Sequence, residues 1–346
     1  MVKRRGRLAL LFLVVTMLWA GIAAAAEPIL HDVRPGYGVT ALGWLSDYHA
    51  PLRGTPMDTR VYYLDSGRPG VTVVLLGGTH PNEIAGISAA LLAVERAVVT
   101  EGRLIVVPYA NSSAASAVDE RRPEIRSWSV QTESGLRIFP YGDRRTQRAQ
   151  QDPDPEIYYH YPTGAEMAGE EARNLNRVHP GQADGTPTEQ LAYAYLQLLQ
   201  EEQAEIAIDL HEAGVGSRLA NMLIANPKNL DLAVIAVVDL EMQGVIMNVE
   251  HSSENFRGLS HREWGDHTSV AAYLIETPNP GQTPGLEDAD VVNDPLNPLA
   301  KRVATHLATI EAIFSAHEQM RGERFVWSGL PSYGELVENG LGAYLR

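Results

Sequence analysis

From residue 71 onward, short apolar runs of strand length alternate with longer segments whose apolar residues recur at helical spacing. The runs predict strands, and the segments predict helices. The predicted strands cover residues 71–76, 103–108, 204–210, 245–249 and 270–275, and the predicted helices cover residues 83–97, 188–203, 230–242 and 296–317. This alternation predicts an α/β fold with a mainly parallel or mixed central sheet and helices on both faces.

One stretch interrupts that alternation. Residues 111–169 are polar and contain Pro140, Pro153, Pro155 and Pro162, which break regular elements. A long stretch of this kind inside a compact domain is often functional. We therefore predict a single domain over residues 27–346, with a long insertion at about 111–169 that covers or frames a site.

Composition removes several classes of function. The chain has 346 residues and no cysteine, which excludes disulfides, thiolate nucleophiles, iron–sulfur clusters and cysteine-ligated zinc. Any metal must be held by His, Asp and Glu. The net charge is −15, so no basic surface is predicted that would neutralise a nucleic-acid backbone.

The first 26 residues have the pattern of a secretory signal peptide. Lys3 and three arginines precede an apolar run over residues 8–22, and the small residues 23–26 provide a cleavage site. We predict cleavage before Glu27, a periplasmic or secreted enzyme, and no stable membrane insertion afterwards. The alternative is an uncleaved anchor, because the run approaches the length of a membrane span.

Candidate metal ligands follow two of the predicted strands. His80 and Glu83 lie in a Gly-Gly-Thr-His-Pro-Asn-Glu turn between a strand and a helix, and His211 directly follows a later strand. Ligands of open α/β sheets bind at the carboxyl ends of strands. Two His and one Glu are a common catalytic zinc set, which leaves a fourth position for water. The sequence thus predicts one Zn²⁺ per chain on these three residues.

Further residues complete a candidate catalytic site. Glu276 also follows a predicted strand, and we predict that it transfers protons as a general base. Asn176 and Arg177 are candidates for binding a substrate carboxylate, because Arg offers a planar pair of donors. The alternative for that pair is a capping Asn beside a solvated Arg. A second His-x-x-Glu, at His251 and Glu254, lacks the glycine turn and the following helix and is the weaker metal candidate.

Two other groups of polar residues stay open. The segment 261–267 is dense in His, Arg and acidic residues, and either lines a pocket or forms a solvated loop. His306 and His317 are expected on the exposed side of the last long helix.

Taken in order, these motifs resemble the zinc carboxypeptidase superfamily, and most closely its succinylglutamate desuccinylase/aspartoacylase branch. The matching stretches are 77–83, 174–177, 209–211 and 275–276. The resemblance implies zinc on His80, Glu83 and His211, with Glu276 as general base and then general acid. It also implies that Asn176 and Arg177 bind a substrate carboxylate or polarise the scissile carbonyl. Asp209 either orients a ligand histidine or faces away from it.

The chain also departs from the pattern of that branch. Asn174 stands where an Asp is usual, and no Arg precedes it at the spacing of the carbonyl-polarising Arg. Arg137, Arg144 and Arg145 of the insertion are candidate substitutes.

The motifs predict a zinc-dependent amidohydrolase acting on an N-acyl amino acid or a similar carboxylate-bearing substrate. The alternatives are a metallocarboxypeptidase acting on peptides such as cell-wall peptides, and a non-catalytic zinc- or ligand-binding protein on the same scaffold.

Overall fold

The structure is a computed structural model that describes residues 27–285 and 289–346, so the predicted signal peptide lies outside the described residues. The strands of the described part are β1 (Ala41–Trp44), β2 (Arg60–Asp65), β3 (Thr72–Leu76), β4 (Val98–Glu101), β5 (Arg103–Val107), β6 (Ser127–Thr132), β7 (Gly135–Pro140), β8 (Ile157–Tyr159), β9 (Glu166–Ala168), β10 (Ile206–Gly214), β11 (Met222–Ala225), β12 (Asn248–His251), β13 (Ala271–Asn279) and β14 (Val326–Ser328). The α-helices are α1 (Ile84–Arg96), α2 (Ser112–Ala115), α3 (Pro187–Glu201), α4 (Leu230–Met242), α5 (Ser260–His267), α6 (Leu299–Arg321) and α7 (Tyr333–Asn339).

Eight of these strands form one mixed sheet in the described part of the chain, in the order β1-β2-β5-β3-β10-β13-β11-β12. The four central strands, β5, β3, β10 and β13, are parallel to one another. On either side of them, β2 and β11 run antiparallel to their inner neighbours. The predicted α/β fold with a mixed sheet is confirmed.

Helices cover both faces of the sheet because its central strands are apolar on both. Side chains alternate between the two faces of a strand. Val73 and Leu75 of β3 therefore pack into one core with α1, α4 and α6. Val74 and Leu76 pack into the opposite core with α3 and with Trp264 of α5.

The two strands that carry candidate site residues are longer than predicted. The predicted strands end at Leu210 and Ile275, whereas β10 continues to Gly214 and β13 to Asn279. Strand β3 pairs with β10 only as far as Asp209, so the last residues of β10 project past it. His211 and Glu276 therefore lie within strands and not after them, and pairing with the neighbouring strands fixes their backbone.

Residues 111–169 contain short regular elements. They form helix α2 and two antiparallel hairpins, β6–β7 and β8–β9, joined by irregular segments. The part that follows β7 brings Asp143 and Arg144 to the carboxyl edge of the main sheet.

The long helix α6 is buried on more sides than its sequence predicts. His306 and His317 were expected to be exposed, but both are fully buried. The reason is that α1, α4, α7 and the sheet all pack against α6. Across the described residues, no helix combines the length and apolar character needed to cross a bilayer.

Candidate metal and substrate site

A sharp turn after β3 brings His80 and Glu83 to the carboxyl edge of the sheet. Gly78 in this turn has a φ of 69°, and a Cβ at that position would lie 2.9 Å from the carbonyl oxygen of Pro108. Glycine adopts this conformation without steric cost. Helix α1 then begins directly after Glu83.

His80, Glu83 and His211 meet in the buried interior. The Nδ1 atom of His80 lies 2.8 Å from one carboxylate oxygen of Glu83, and the Nδ1 atom of His211 lies 2.7 Å from the other. One ligand atom from each residue lies within 4.8 Å of the other two. The sequence therefore selected three residues that do come together, from positions as far apart as 80 and 211.

The Nε2 atom of each histidine, which faces away from Glu83, contacts a further polar side chain. The Nε2 atom of His80 lies 2.8 Å from the amide oxygen of Asn174, and that of His211 lies 2.9 Å from the carboxylate of Asp209. Such contacts fix the orientation of a ligand imidazole and leave its other nitrogen facing the ion. The amide oxygen of Asn174 is an acceptor, as an Asp carboxylate at this position would be.

Asp209 is itself fixed by two hydroxyls that donate to it, Thr79 at 2.7 Å and Ser260 at 2.6 Å. It faces His211 and does not point away. Burial tends to raise the pKa of Asp209, but the nearby His211 and these hydrogen bonds hold it below its ordinary value. The residue is thus an ionised carboxylate positioned against the imidazole.

Besides the two histidines, groups on two other segments hold Glu83. Its carboxylate accepts hydrogen bonds from the backbone N–H of Glu212, at 3.0 Å, and from the side chain of Gln282, at 3.0 Å. In return, the Glu212 carboxylate accepts from the backbone N–H of Ala85 and pairs with the buried Arg302. Gln282 and Arg302 carry no local motif, and sequence reasoning missed both.

The charges of His80, Glu83 and His211 suit the binding of a cation. Burial lowers the pKa of His80 to about 4, which keeps its imidazole neutral at pH 7. Burial opposes a charge on His211 too, but Asp209 and Glu83 outweigh it and raise the pKa of His211. Burial also tends to raise the pKa of Glu83, and the two histidines hold it well below its ordinary value. A metal ion bound here would replace the proton between His211 and Glu83.

Two imidazoles and a carboxylate fit a first-row divalent cation. These are the donor types of catalytic zinc sites, whose bonds are about 2.0–2.2 Å long. The group opens on one side to a cavity of about 640 Å³. His251 and Glu254, the weaker candidate pair, are both exposed, and the metal-type group within the described residues is the one on His80, Glu83 and His211.

Glu276 lies in this cavity beside the ligands. It is opposite His211 in the register of the parallel strands β10 and β13, so the two side chains project from the same face. Its Oε2 atom is buried and has no hydrogen-bond partner among the described residues. Burial, and then the negative charge of Glu83, raise the pKa of Glu276 to about 8.

Asn176 and Arg177 also line the cavity. The side-chain oxygen of Asn176 accepts from the backbone N–H of Ser260 at 2.8 Å. The guanidinium of Arg177 donates to the carbonyl oxygen of Asn176 and lies 3.6 Å from the carboxylate of Glu171. Both contacts orient the pair on the wall of the cavity.

The three arginines proposed as substitutes have different places. Arg144 lines the cavity, with its Nη1 atom 3.8 Å from the carboxylate of Glu83. Arg137 is buried elsewhere, where it pairs with Glu95 at 2.9 Å, and Arg145 pairs with Glu171 at 2.9 Å. Arg144 alone of the three is therefore in contact with the group of candidate ligands.

The whole of segment 261–267 lies in helix α5, so the second of its two interpretations, a solvated loop, was wrong. His261, at the second position of this helix, lines the cavity. It is fully buried, and neither ring nitrogen has a hydrogen-bond partner among the described residues. Burial lowers its pKa to about 3, which keeps the imidazole neutral.

No protein-family profile and no curated protein sequence matches this chain. Among solved structures, it is similar to a succinylglutamate desuccinylase from Silicibacter sp. TM1040, with 16% sequence identity and a TM-score of 0.45, over 83% of this chain and 70% of the other. It is also similar to a metallo-carboxypeptidase from Burkholderia cenocepacia, with 13% identity and a TM-score of 0.48, over 81% and 65% of the two chains.

A third similar structure is the tripeptide-bound cell shape determinant Csd4 from Helicobacter pylori, with 12% identity and a TM-score of 0.46, over 78% of this chain and 56% of the other. This chain therefore spans less than two thirds of the carboxypeptidase and of Csd4. Desuccinylases and carboxypeptidases are the two kinds of protein that the sequence motifs resemble. Similarity at this level assigns neither an activity nor a substrate to this chain.

Proposed function

We propose that this chain is an exported, metal-dependent amidohydrolase, with Zn²⁺ as its ion, that hydrolyses an amide whose leaving half carries a carboxylate. The observation that carries the proposal is the arrangement at Glu83. Two imidazole Nδ1 atoms face its carboxylate at 2.7 and 2.8 Å, and the group opens onto a cavity that contains the unpartnered carboxylate of Glu276. The basic and apolar segment 1–26 supports export.

When bound, Zn²⁺ supplies a Lewis acid that polarises a carbonyl and lowers the pKa of a water molecule to about 7. Glu276 takes a proton from the attacking water as the water oxygen bonds to the carbonyl carbon. It then gives that proton to the leaving nitrogen as the C–N bond breaks. Glu276 is suited to both transfers because its Oε2 atom is buried beside the candidate ligands and has no hydrogen-bond partner among the described residues.

Arg144 and Arg177 divide the recognition of the substrate between them. The guanidinium of Arg144 lies beside Glu83, where it stabilises negative charge on the carbonyl oxygen in the transition state. Arg177 and Asn176 line the same cavity and bind the carboxylate of the leaving half. This division fixes the direction in which the substrate lies.

The proposal is tested by Glu276→Gln, with metal content measured on the same sample. We expect near-stoichiometric zinc to be retained and kcat to fall by about 10²–10⁴-fold, since only the proton-transfer group has been removed. Glu254→Gln is the matched control, because Glu254 is exposed, and it should behave as the wild type. Activity that survives in Glu276→Gln would contradict the mechanism.

Two classes of substrate fit this proposal, an N-acyl amino acid and a peptide. Hydrolysis of a panel that contains both classes separates them. A protein that is fully loaded with metal and inert across that panel would instead be a zinc- or ligand-binding protein. The carboxylate of Glu276 argues against that outcome, because a binding protein has no use for a proton-transfer group at this position.

A further inference from the structure

A second cavity lies next to the candidate metal site. Its volume is about 330 Å³, and Arg144 and Gln282 line both this cavity and the larger one. Asn82, which lies in the turn between His80 and Glu83, lines it as well. The two cavities therefore meet at the group of candidate ligands, and we call the smaller one the acyl-side cavity.

The direction of the substrate follows from the proposed function, on which this inference rests. If Arg177 binds the carboxylate of the leaving half in the larger cavity, the scissile carbonyl lies beside Glu83 and Arg144. The acyl half then continues into the acyl-side cavity. Whatever groups line that cavity select the acyl half.

Hydrogen-bond acceptors dominate the buried wall of the acyl-side cavity. Asn82, Asp119 and Asp143 are 4%, 3% and 5% exposed. The side-chain amide of Asn82 donates to Asp119 at 2.8 Å, while its oxygen has no partner among the described residues. Neither Asp119 nor Asp143 has an ion-pair partner within 4.0 Å in the described part of the chain.

Arginines around the cavity form ion pairs with other acids, and Arg145 also lowers the pKa of Asp143, by less than burial raises it. Arg122 pairs with Glu124 at 2.6 Å, and Arg145 pairs with Glu171 at 2.9 Å. Arg144 is directed towards Glu83. Burial raises the pKa of Asp143 to about 6, a hydrogen bond from the backbone N–H of Arg144 opposes this rise, and repulsion by Asp119 and Glu120 adds to it. The buried part of this wall therefore places two carboxylates and the unpartnered oxygen of Asn82 where a bound cation would stabilise them.

We propose that the acyl-side cavity binds a free ammonium group, and that the substrate is a peptide whose acyl half is an amino acid with an unblocked amine. The α-nitrogen of such a residue is bonded to the carbon next to the scissile carbonyl. It therefore lies at the start of the cavity, beside Asn82, with Asp119 and Asp143 behind it. An acetyl or succinyl group offers no cation to these acceptors, so the N-acyl amino acids are the poorer substrates.

The test compares two substrates that differ only in the amine. Alanyl-X and N-propionyl-X share the same leaving amino acid X, with X taken as Ala, Lys, Glu and Phe, and kcat/KM is measured at pH 7 on the zinc-loaded protein. We expect the alanyl substrate to be preferred by about tenfold or more, since a hydrogen-bonded charge contributes that much. N-succinyl-X is measured beside them.

Variants of the acyl-side cavity test whether its carboxylates cause the preference for the alanyl substrate. In Asp119→Asn and Asp143→Asn the ratio of the two kcat/KM values should fall towards one, because the negative charge is lost while the shape is kept. Asp152→Asn is the matched control, since Asp152 is an exposed acid of the same segment, with its side chain 59% exposed, and it should keep the wild-type ratio.

The outcomes separate the two proposals. Hydrolysis of the N-propionyl or N-succinyl substrates at least as fast as the alanyl one overturns the ammonium site and leaves the amidohydrolase standing. A preference that survives in both Asp variants overturns the assignment of these residues. Hydrolysis of no substrate by the zinc-loaded wild type overturns the proposed function, and the inference with it.

Discussion

Helix α1 has a buried carboxylate at each end. The two differ in whether their surroundings contain polar atoms without hydrogen-bond partners. Glu83, just before the helix, faces two histidines and borders the cavities of the site. Glu95 lies in the last turn, and both of its carboxylate oxygens accept hydrogen bonds from Arg137 at 2.9 Å. The backbone N–H groups of Arg34 and Arg346 donate to it as well. Glu95 is completely enclosed by its partners.

The comparison shows that burial and charge pairing alone do not identify a functional site. Both carboxylates are almost inaccessible and both have nitrogen partners. What distinguishes the Glu83 end is a cavity with unpartnered polar atoms beside it, such as those of Glu276 and His261. Arg137, one of the three candidate substitutes for the carbonyl-polarising Arg, belongs to the enclosed end instead, where it forms a buried ion pair with Glu95.

The largest expected effect is the loss of metal from the Glu83 end. In His80→Ala and in His211→Ala, zinc content by elemental analysis should fall from near one per chain to a small fraction, and hydrolysis should fall to background, because three protein ligands become two. His251→Ala, an exposed histidine, serves as the control and should keep its zinc. Zinc unchanged in both ligand variants would show that the ligands lie elsewhere.

A substitution beside Glu95 should lower the stability of the protein and leave its activity unchanged. Arg137→Met leaves the Glu95 carboxylate buried without its cation, and we expect the free energy of unfolding to fall by about 3–5 kcal/mol. Urea unfolding measures it, with kcat measured on the folded fraction and expected to stay near the wild-type value. Arg34→Met removes a half-exposed partner of Asp32 and should cost about 1 kcal/mol or less. Equal losses in the two variants would remove the distinction between the ends.

Substitution of Arg144, in contrast to that of Arg137, should lower activity and leave stability nearly unchanged. Arg144→Ala removes a donor beside the scissile carbonyl, and kcat should fall by about 10²–10³-fold with zinc retained and the unfolding midpoint nearly unchanged. Arg148→Ala, on an exposed arginine of the same segment, is the control for a surface charge. A loss of stability without a loss of kcat would make Arg144 a structural residue like Arg137.

The smallest effect concerns the pH dependence of stability in the metal-free protein. The pKa of Glu276 is raised from 4.5 to about 8, so its protonated form favours the folded state. That contribution is complete below about pH 4.5 and is lost as the pH rises through 8. Glu276→Gln cannot ionise, so its melting temperature relative to the wild type should increase by about 2 °C or more between pH 5 and pH 8.5. A difference that is constant with pH would contradict the raised pKa.

Much of the fold was readable from local patterns. Helix α4 begins and ends at the predicted residues, β3 begins one residue later than predicted, and α1 is shorter than predicted by one residue at each end. The antiparallel strands β1, β2 and β11 were not predicted, because short strands are stabilised by pairing with neighbours that are distant in sequence. The same dependence on pairing explains why β10 and β13 continue past their apolar runs.

The sequence by itself determined the α/β class and selected His80, Glu83, His211 and Glu276, because each lies in a local pattern of strand, turn and helix. Only the tertiary structure decided which side chains complete the site. It separated Arg144 from Arg137, added Gln282 behind Glu83, and brought Asp119 and Asp143 together beside Asn82. The physical reason is that these contacts join segments far apart in the chain, and their geometry is set by how the helices and hairpins pack on the sheet.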